Sequence, residues 1–252
     1  MKRKIPFINS HIFRQPDIPW GSGAFDPFSL NPDLFLDARD VDYLTLNILG
    51  AQVIGDQSAT GADFTQVVVA NQGQVDSATV TTQIEYDGVS DYSENTLDVA
   101  KFAAMSQGSV VQICSETAND YSFTMGDSST TTDWLYMGIT SLLKPIIVVR
   151  ISGVTLNNQS INPINIGDTY EWKKKNGLIK LLINGLEVDH TENHNSWFSD
   201  LNNIDNIRIG SVSRLTPLYT DLIFKHLSIF STPLTDAQSL QYANYLIEKH
   251  NL

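Results

Sequence analysis

A chain of 252 residues with 42% hydrophobic residues can fill a two-sheet core, and β-sandwiches often reach this size as one domain. The net charge is −12 at pH 7, and because the first acid is Asp17, after four basic residues, the rest of the chain is more acidic still. An acidic body lacks the electrostatic footprint of a nucleic-acid-binding domain, so we expect no nucleic-acid partner.

The cysteine content and the hydropathy pattern indicate in which cellular compartment the protein is made. Cys114 is the only cysteine, so no intrachain disulfide can form. No apolar stretch approaches the roughly 18 residues of a membrane span, so we expect no membrane insertion. The basic residues 2–4 are not followed by the apolar run of a signal peptide, because Pro6 and Asn9 interrupt it. We therefore expect synthesis in a cytoplasm without a secretion signal.

Residues 1–33 differ from the rest of the chain because prolines and aromatic residues alternate in them. Proline at this density prevents a helix and interrupts strand pairing, while the aromatic rings need a surface to cover. We predict an extended arm that packs on its own domain or on a neighbouring subunit, with a partly ordered tail as the alternative. The residues concerned are Pro6, Phe7, Phe13, Pro16, Pro19, Trp20, Phe25, Pro27, Phe28 and Pro32.

Residues 34–252 form the predicted domain, in which short β-like runs are separated by turn residues. Many short strands at regular spacing are typical of a sandwich or barrel. The main predicted strands cover residues 34–36, 43–48, 66–70, 79–86, 110–114, 121–125, 134–139, 146–151, 170–172, 177–183, 207–210 and 224–230.

One helix is predicted at the end of the chain. Thr235 is a favourable N-cap, and Gln238 three residues later completes a capping box. Apolar residues follow at helical spacing, and Lys249 and His250 in the last turn suit the helix dipole. We expect this helix to lie on the edge of the sandwich.

Three stretches together resemble the concanavalin A-like, laminin-G-like domains of bacterial and phage proteins. They are residues 84–92 (IEYDGVSDY), residues 176–188 (NGLIKLLINGLEV) with its Asn-Gly turns, and residues 207–210 (IRIG) followed by 227–236 (LSIFSTPLTD). The resemblance implies an all-β, concanavalin A-like jelly-roll β-sandwich with one C-terminal helix. This fold hosts lectins, glucanases, lyases and plain scaffolds, so function has to be argued from the site.

The carboxylates of residues 84–92 bear on enzymatic activity. Glycosidases of this fold carry a Glu-x-Asp-x-x-Glu pattern, and here Glu85 and Asp87 are followed by Ser90 in place of the third acid. We therefore expect no enzymatic activity. A carbohydrate-active enzyme, a glycoside hydrolase or lyase on the same fold, stays the alternative.

Calcium is the one cofactor that the sequence suggests. Many laminin-G-like domains bind this ion on the rim of the sandwich through carboxylate, amide and carbonyl oxygens. The alternative is that the acidic residues concerned are surface carboxylates that face solvent. For Asp87 and Asp91 we favour the interpretation that they order a turn through hydrogen bonds between side chain and backbone. The candidate ligands are Asp87, Asp91, Asn119, Asp120 and Asp127.

Glycan binding requires exposed aromatic rings beside polar partners. Trp197 in the loop-like stretch 193–197 is the main candidate for stacking on a sugar, with Asn195 as its polar neighbour. Tyr92 and Tyr219 are further candidates, whereas Trp172 is predicted to lie in the core.

Residues 26–48, with the stretches 26–32 and 34–40, resemble the lead-in to such domains in phage virion and tail proteins and in bacterial surface proteins. Together with the arm, this resemblance predicts a self-assembling virion component of the head or tail. The arm over residues 1–33 would dock it to other virion proteins, and the sandwich would attach to host-surface glycans. A purely structural protein that binds only its own particle is the remaining alternative.

Overall fold

The computed structural model describes residues 25–46, 50–76, 83–113 and 120–252. In chain order the described strands are β1 (Leu34–Asp37), β2 (Leu44–Leu46), β3 (Ala51–Ile54), β4 (Phe64–Thr65), β5 (Gln74–Asp76), β6 (Gln83–Asp87), β7 (Ser93–Asn95), β8 (Gly108–Ile113), β9 (Asp120–Gly126), β10 (Trp134–Ile139), β11 (Pro145–Ile151), β12 (Val154–Gln159), β13 (Thr169–Lys175), β14 (Leu178–Ile183), β15 (Leu186–Val188), β16 (Asn206–Ile209), β17 (Asp221–Phe224) and β18 (His226–Phe230). The α-helices are α1 (Val99–Ala103) and α2 (Asp236–His250), and short 3-10 turns cover Pro27–Leu30, Val41–Tyr43, Val69–Asn71 and Phe198–Asp200.

These strands form two large sheets and one small sheet. The six-stranded sheet has the order β1-β18-β8-β13-β14-β15, and the nine-stranded sheet has the order β12-β11-β10-β9-β16-β7-β4-β3-β2. A three-stranded sheet, β17-β6-β5, accompanies them. All pairings between the described strands are antiparallel. The predicted all-β sandwich with a C-terminal helix is confirmed.

The main core contains residues from the two large sheets. Strand alternation places Leu135 and Met137 of β10 in this core with Phe123 of β9, and all three are fully buried. Trp172 of β13 lies in the same cluster at 0% exposure, which confirms its predicted place. The residues of β10 that point the other way, Trp134 and Tyr136, therefore lie on the outer face of the nine-stranded sheet.

Helix α2 covers the outer face of the six-stranded sheet, not the edge of the sandwich as the sequence suggested. Tyr242 and Leu246 form a second buried cluster with Phe35, Val111 and Phe230 of the sheet. All six residues of β8 and all five of β18 are consequently buried, so these strands are apolar or uncharged on both faces. The nine-stranded sheet has no such helix among the described residues.

The start of α2 follows the predicted capping box. The backbone N–H of Gln238 donates to Thr235 Oγ1 at 3.3 Å, and the backbone N–H of Thr235 donates to Gln238 Oε1 at 2.8 Å. Polar contacts add to the apolar packing, since the ammonium of Lys173 on β13 lies 3.2 Å from Asp236 Oδ1 and 2.9 Å from Ser239 Oγ. The start of the helix therefore has a local cause, whereas its position depends on contacts with distant parts of the chain.

The predicted strand over residues 66–70 is wrong. The chain forms the 3-10 turn Val69–Asn71 there, and Val67 is 77% exposed. Gln66 explains the difference, because its Oε1 accepts the backbone N–H of Val68 at 2.9 Å and competes with strand pairing.

Several predicted features lie outside the described residues, among them residues 1–24 of the arm, residues 79–82, Cys114 and Asn119. The described end of the arm contacts its own domain. Phe25 lies 6.2 Å from Tyr242 and 5.9 Å from Tyr245, between ring centroids, and Phe28 lies 4.8 Å from Phe35.

Of the helices in the described ranges, none has the length and apolar character that crossing a membrane requires.

Two Asn-Gly hairpin turns allow a matched test of how α2 packs. Gly177 and Gly185 have φ values of +79° and +77°, but a Cβ at Gly177 would meet nothing within 4 Å. A Cβ at Gly185 would overlap Leu240 Cα of α2 and lie 2.8 Å from its backbone nitrogen.

We expect Gly177→Ala to cost about 1–2 kcal/mol, the penalty of a left-handed backbone. Gly185→Ala should cost roughly 1–3 kcal/mol more, because it also pushes the turn away from the helix. Urea denaturation of both variants measures the difference. Equal losses would show that the turn does not press against α2.

Candidate functional site

The outer face of the nine-stranded sheet carries a row of directly opposed residues on five neighbouring strands. Strand register places Glu94, Arg208, Thr124, Tyr136 and Val148 side by side on β7, β16, β9, β10 and β11. Their neighbours along β16, β9, β10 and β11 lie in the main core and those of Glu94 are buried, so alternation directs this row outward. Glu94, Arg208 and Tyr136 of this row are partly exposed, whereas Thr124 and Val148 are buried.

Arg208 is held at one end of this row by an acid and an aromatic ring. Its Nε lies 3.0 Å from Glu94 Oε2, and its guanidinium carbon lies 4.7 Å from the centroid of Tyr92. Tyr92 in turn lies 6.2 Å from Tyr219, measured between ring centroids, and both tyrosines are half-buried. Two residues predicted for sugar stacking are thus neighbours, and the arginine beside them escaped the sequence analysis.

A second aromatic group lies on the same face. The rings of Trp134 and Tyr136 stack at 5.7 Å and 13°, and Tyr121 meets Tyr136 edge-on at 4.9 Å. Trp134 is only 7% exposed, so the two half-buried tyrosines are the accessible members. Burial raises the pKa of Tyr136 to about 12, and it also raises the pKa of Tyr121, which the charge of Arg214 partly offsets. Both phenols are therefore neutral and can donate and accept hydrogen bonds.

The hairpin over residues 211–219 brings Tyr219 and Arg214 to this face. Thr124 in the middle of the row donates from Oγ1 to the Ser211 carbonyl at 2.8 Å and accepts the Ser213 N–H at 3.3 Å. Val212 of the hairpin packs in a cluster with Trp134 and Val148. We call Tyr92, Tyr121, Tyr136, Arg208, Arg214 and Tyr219 the aromatic platform.

Trp197, the leading candidate for sugar stacking, is not part of this platform, and its prediction is wrong. The side chain is 0% exposed and stacks on Phe198 at 4.9 Å and 11° within the main core. No ring face is open to a sugar. Asn195 is exposed, but its Oδ1 accepts the Ile179 N–H at 3.4 Å, which places it beside β14 of the other sheet.

Two of the acidic residues predicted to bind calcium accept hydrogen bonds within their own turns. Asp87 Oδ1 accepts the N–H groups of Val89 and Ser90 at 2.8 and 2.9 Å, and although burial opposes it, these bonds hold the pKa of Asp87 below its usual range. Asp127 Oδ1 accepts both the N–H and the hydroxyl of Ser129, at 2.8 and 2.6 Å. The sequence predicts turn ordering for Asp87 and Asp91, and these bonds show it for Asp87, which also accepts the Asp91 N–H at 3.1 Å. Asp127 orders its turn in the same way, which the sequence did not indicate.

The proposed calcium set is not assembled from the described residues. Within the described ranges, one group of three His, Cys, Asp or Glu side chains has donor atoms close enough for a shared ion. That group consists of Asp37, His226 and His250, so neither Asp91 nor the other predicted acids belong to it. Asn119 and the side chain of Asp120 lie outside the description.

Comparison with known proteins shows the fold. No family model and no curated protein matches this chain. Domain 4 of AbnA, a GH43 extracellular arabinanase from Geobacillus stearothermophilus, solved with arabinotriose, has a TM-score of 0.56 and 15% identity over 84% of this chain and 98% of that one.

Two sialidase structures also resemble the chain. NanB of Streptococcus pneumoniae has a TM-score of 0.51 and 14% identity over 61% of this chain, which spans only 26% of NanB. The CBM40 of the Ruminococcus gnavus IT-sialidase has a TM-score of 0.48 and 18% identity over 57% of this chain and 86% of that one. Among the three, the AbnA domain shows most clearly that the sandwich fold is shared.

The acid next to the platform gives a prediction about pH. Burial, aided by the charge of Asp87, raises the pKa of Asp91 from 3.8 to about 6. The native state then binds this proton more strongly than the unfolded chain, so the contribution of Asp91 to stability falls as pH rises from about 4 to about 6. Asp91→Asn removes that dependence.

We therefore expect Asp91→Asn to gain stability relative to the wild type between pH 4 and pH 7, as measured by urea denaturation. Glu85→Gln, a change of the same charge at an exposed position, should show no such gain. A constant difference between Asp91→Asn and the wild type at both pH values would contradict this account.

Proposed function

We propose that this chain is a non-enzymatic module that binds glycans through the aromatic platform. The observation that carries the proposal is the contact of Arg208 with Tyr92 at 4.7 Å beside Tyr219 at 6.2 Å. The two tyrosines are half-buried and the Arg208 side chain is 11% exposed, and all three lie at the outer face of the large sheet, which no described helix covers. Helix α2 packs on the opposite sheet.

The chemistry of the platform suits a carbohydrate. Sugar rings offer apolar C–H faces that pack on tyrosine rings and hydroxyls that need directed hydrogen bonds. Arg208 and Glu94 supply a donor fork and an acceptor, and their ion pair fixes both side chains before a ligand arrives. Arg214 adds a second guanidinium, so a glycan that carries carboxylates would also find a partner.

The solved structures support this proposal in one respect. Domain 4 of AbnA, which shares the fold over most of this chain, was solved in complex with arabinotriose. A sandwich of this architecture can therefore hold an oligosaccharide. The residues that would do so here are argued from this chain alone.

We propose no catalytic step at this site. Glu85 and Asp87, the only part of the glycosidase pattern present, lie exposed on β6 of the small sheet, and Ser90 stands at the third position. Assays for reducing ends released from polysaccharides would overturn this part of the proposal if any substrate were cleaved.

We also propose a setting for the module, as a virion component of a phage head or tail. Two features support it: the resemblance of residues 26–48 to the lead-in of phage virion proteins, and the Pro/aromatic arm. Phe25 contacts Tyr242 and Phe28 contacts Phe35, so the described end of the arm packs on the α2 side of the domain. The preceding residues would then dock the module to other virion proteins and to copies of itself, after synthesis in the host cytoplasm.

Glycan binding is tested by a glycan array followed by titration of the retained oligosaccharides. We expect Tyr92→Ala and Tyr219→Ala each to weaken binding about tenfold or more, because each removes a stacking surface. Tyr43→Ala is the matched control, since Tyr43 is 45% exposed and lies outside the platform. An array and a host-cell pull-down that both stay blank, or equal losses in all three variants, would contradict the proposal.

Docking through the arm is tested by truncation. Deletion of residues 1–24 leaves the Phe25 and Phe28 contacts in place, so the domain should keep its thermal stability. We expect the truncated protein to be lost from purified particles. Normal incorporation would show that the arm does not dock the module.

A further inference from the structure

We propose that Asp37, His226 and His250 form a binding site for one divalent transition-metal ion, with Zn²⁺ as the best-fitting ion. The site would join the first strand, the last strand and the C-terminal helix of the domain. It is separate from the aromatic platform, and it does not depend on the proposed glycan binding.

The fold brings three distant parts of the chain to this point. Asp37 at the end of β1 lies directly opposite His226 at the start of β18, and His250 is the last residue of α2. Asp37 Oδ2 lies 3.7 Å from His226 Nδ1 and 3.4 Å from His250 Nε2, and the three donor atoms lie within 4.8 Å of one another. Four-coordinate zinc with bonds of about 2.0–2.1 Å places neighbouring donors roughly 3.4 Å apart.

All three donor residues are buried, and the two imidazole donor atoms lack hydrogen-bond partners in the described part of the chain. Asp37 and His250 are 1% exposed and His226 is 2% exposed. His226 Nδ1 and His250 Nε2 have no hydrogen-bond partner among the described residues, although buried polar atoms are nearly always satisfied. An ion between them would satisfy both of these nitrogens at once.

Neighbouring groups orient these donors. The backbone N–H of Arg39 donates to Asp37 Oδ1 at 2.9 Å, which leaves Oδ2 for the histidines. The phenol of Tyr242 lies 3.0 Å from His226 Nε2 and turns Nδ1 toward Asp37, as the outer partners of metal-bound histidines do. One carboxylate and two imidazoles form a donor set that suits Zn²⁺ and related ions.

Lys249 is the group that an ion would displace. Its ammonium lies 2.7 Å from Asp37 Oδ2 and so occupies the carboxylate when no metal is bound. The side chain is 20% exposed, and the half-buried Asp40 lies close enough to interact with it. Lys249 can therefore move toward Asp40 as the ion enters, while a water molecule takes the fourth position.

The test uses the full chain, stripped with a chelator and titrated with Zn²⁺ and with Co²⁺, whose visible spectrum reports tetrahedral coordination. We expect one equivalent to bind and the Tm to rise by roughly 5–10 °C when free Zn²⁺ is about 100 times Kd. His250→Gln and Asp37→Asn should weaken binding at least tenfold. His190→Gln, which removes a histidine outside the cluster, should bind as the wild type does.

Lys249→Met separates a metal site from a simple ion pair. We expect this variant to bind Zn²⁺ several-fold more tightly than the wild type, because no ammonium competes for Asp37. The proposal is overturned if the wild type binds less than about a tenth of an equivalent, if its Co²⁺ spectrum is not tetrahedral, or if His190→Gln alone abolishes binding. These wild-type measurements decide the matter even where a cluster variant fails to fold.

Discussion

The packing of α2 on the outer face of the six-stranded sheet is the contact on which the arrangement of this protein depends. Tyr242 and Leu246 cover Phe35 and Phe230, so strands β1, β8 and β18 of this sheet are buried on both faces. The helix also orders polar partners, since it carries Asp236 to Lys173 and His250 to Asp37. No described helix covers the outer face of the nine-stranded sheet. The hairpin over residues 211–219 packs on part of this face, and grouped aromatic and guanidinium side chains lie beside it.

The features that sequence predicts well here have local causes. The Asn184–Gly185 turn and the capping box of Thr235 depend on residues within a few positions of each other, and both are present in the structure. Alternation also identified β10, whose residues Leu135 and Met137 enter the core. The failure over residues 66–70 has a local cause as well, because the Gln66 side chain competes for a backbone N–H that β propensity assigns to a strand.

The site could be predicted only in part, because it depends on contacts between distant residues. Tyr92 and Tyr219 could be predicted as sugar-stacking candidates because they are aromatic residues in turn-rich stretches. Arg208 becomes a candidate binding residue only when the strand register places it beside Glu94. Trp197 shows the opposite error, since a stretch of polar residues precedes a side chain that the core buries. His226 likewise becomes a candidate metal ligand only because the pairing of β1 with β18, at the two ends of the domain, places it opposite Asp37.

The most direct test of the central claim, that the outer face of the nine-stranded sheet is a glycan-binding surface, is a map of backbone amide shifts during titration with an oligosaccharide that the protein retains. The account predicts that the largest NMR shift changes fall on β7, β9, β10, β16 and the hairpin over residues 211–219, with α2 and β8 unaffected. Changes centred on α2 or on the six-stranded sheet would contradict it.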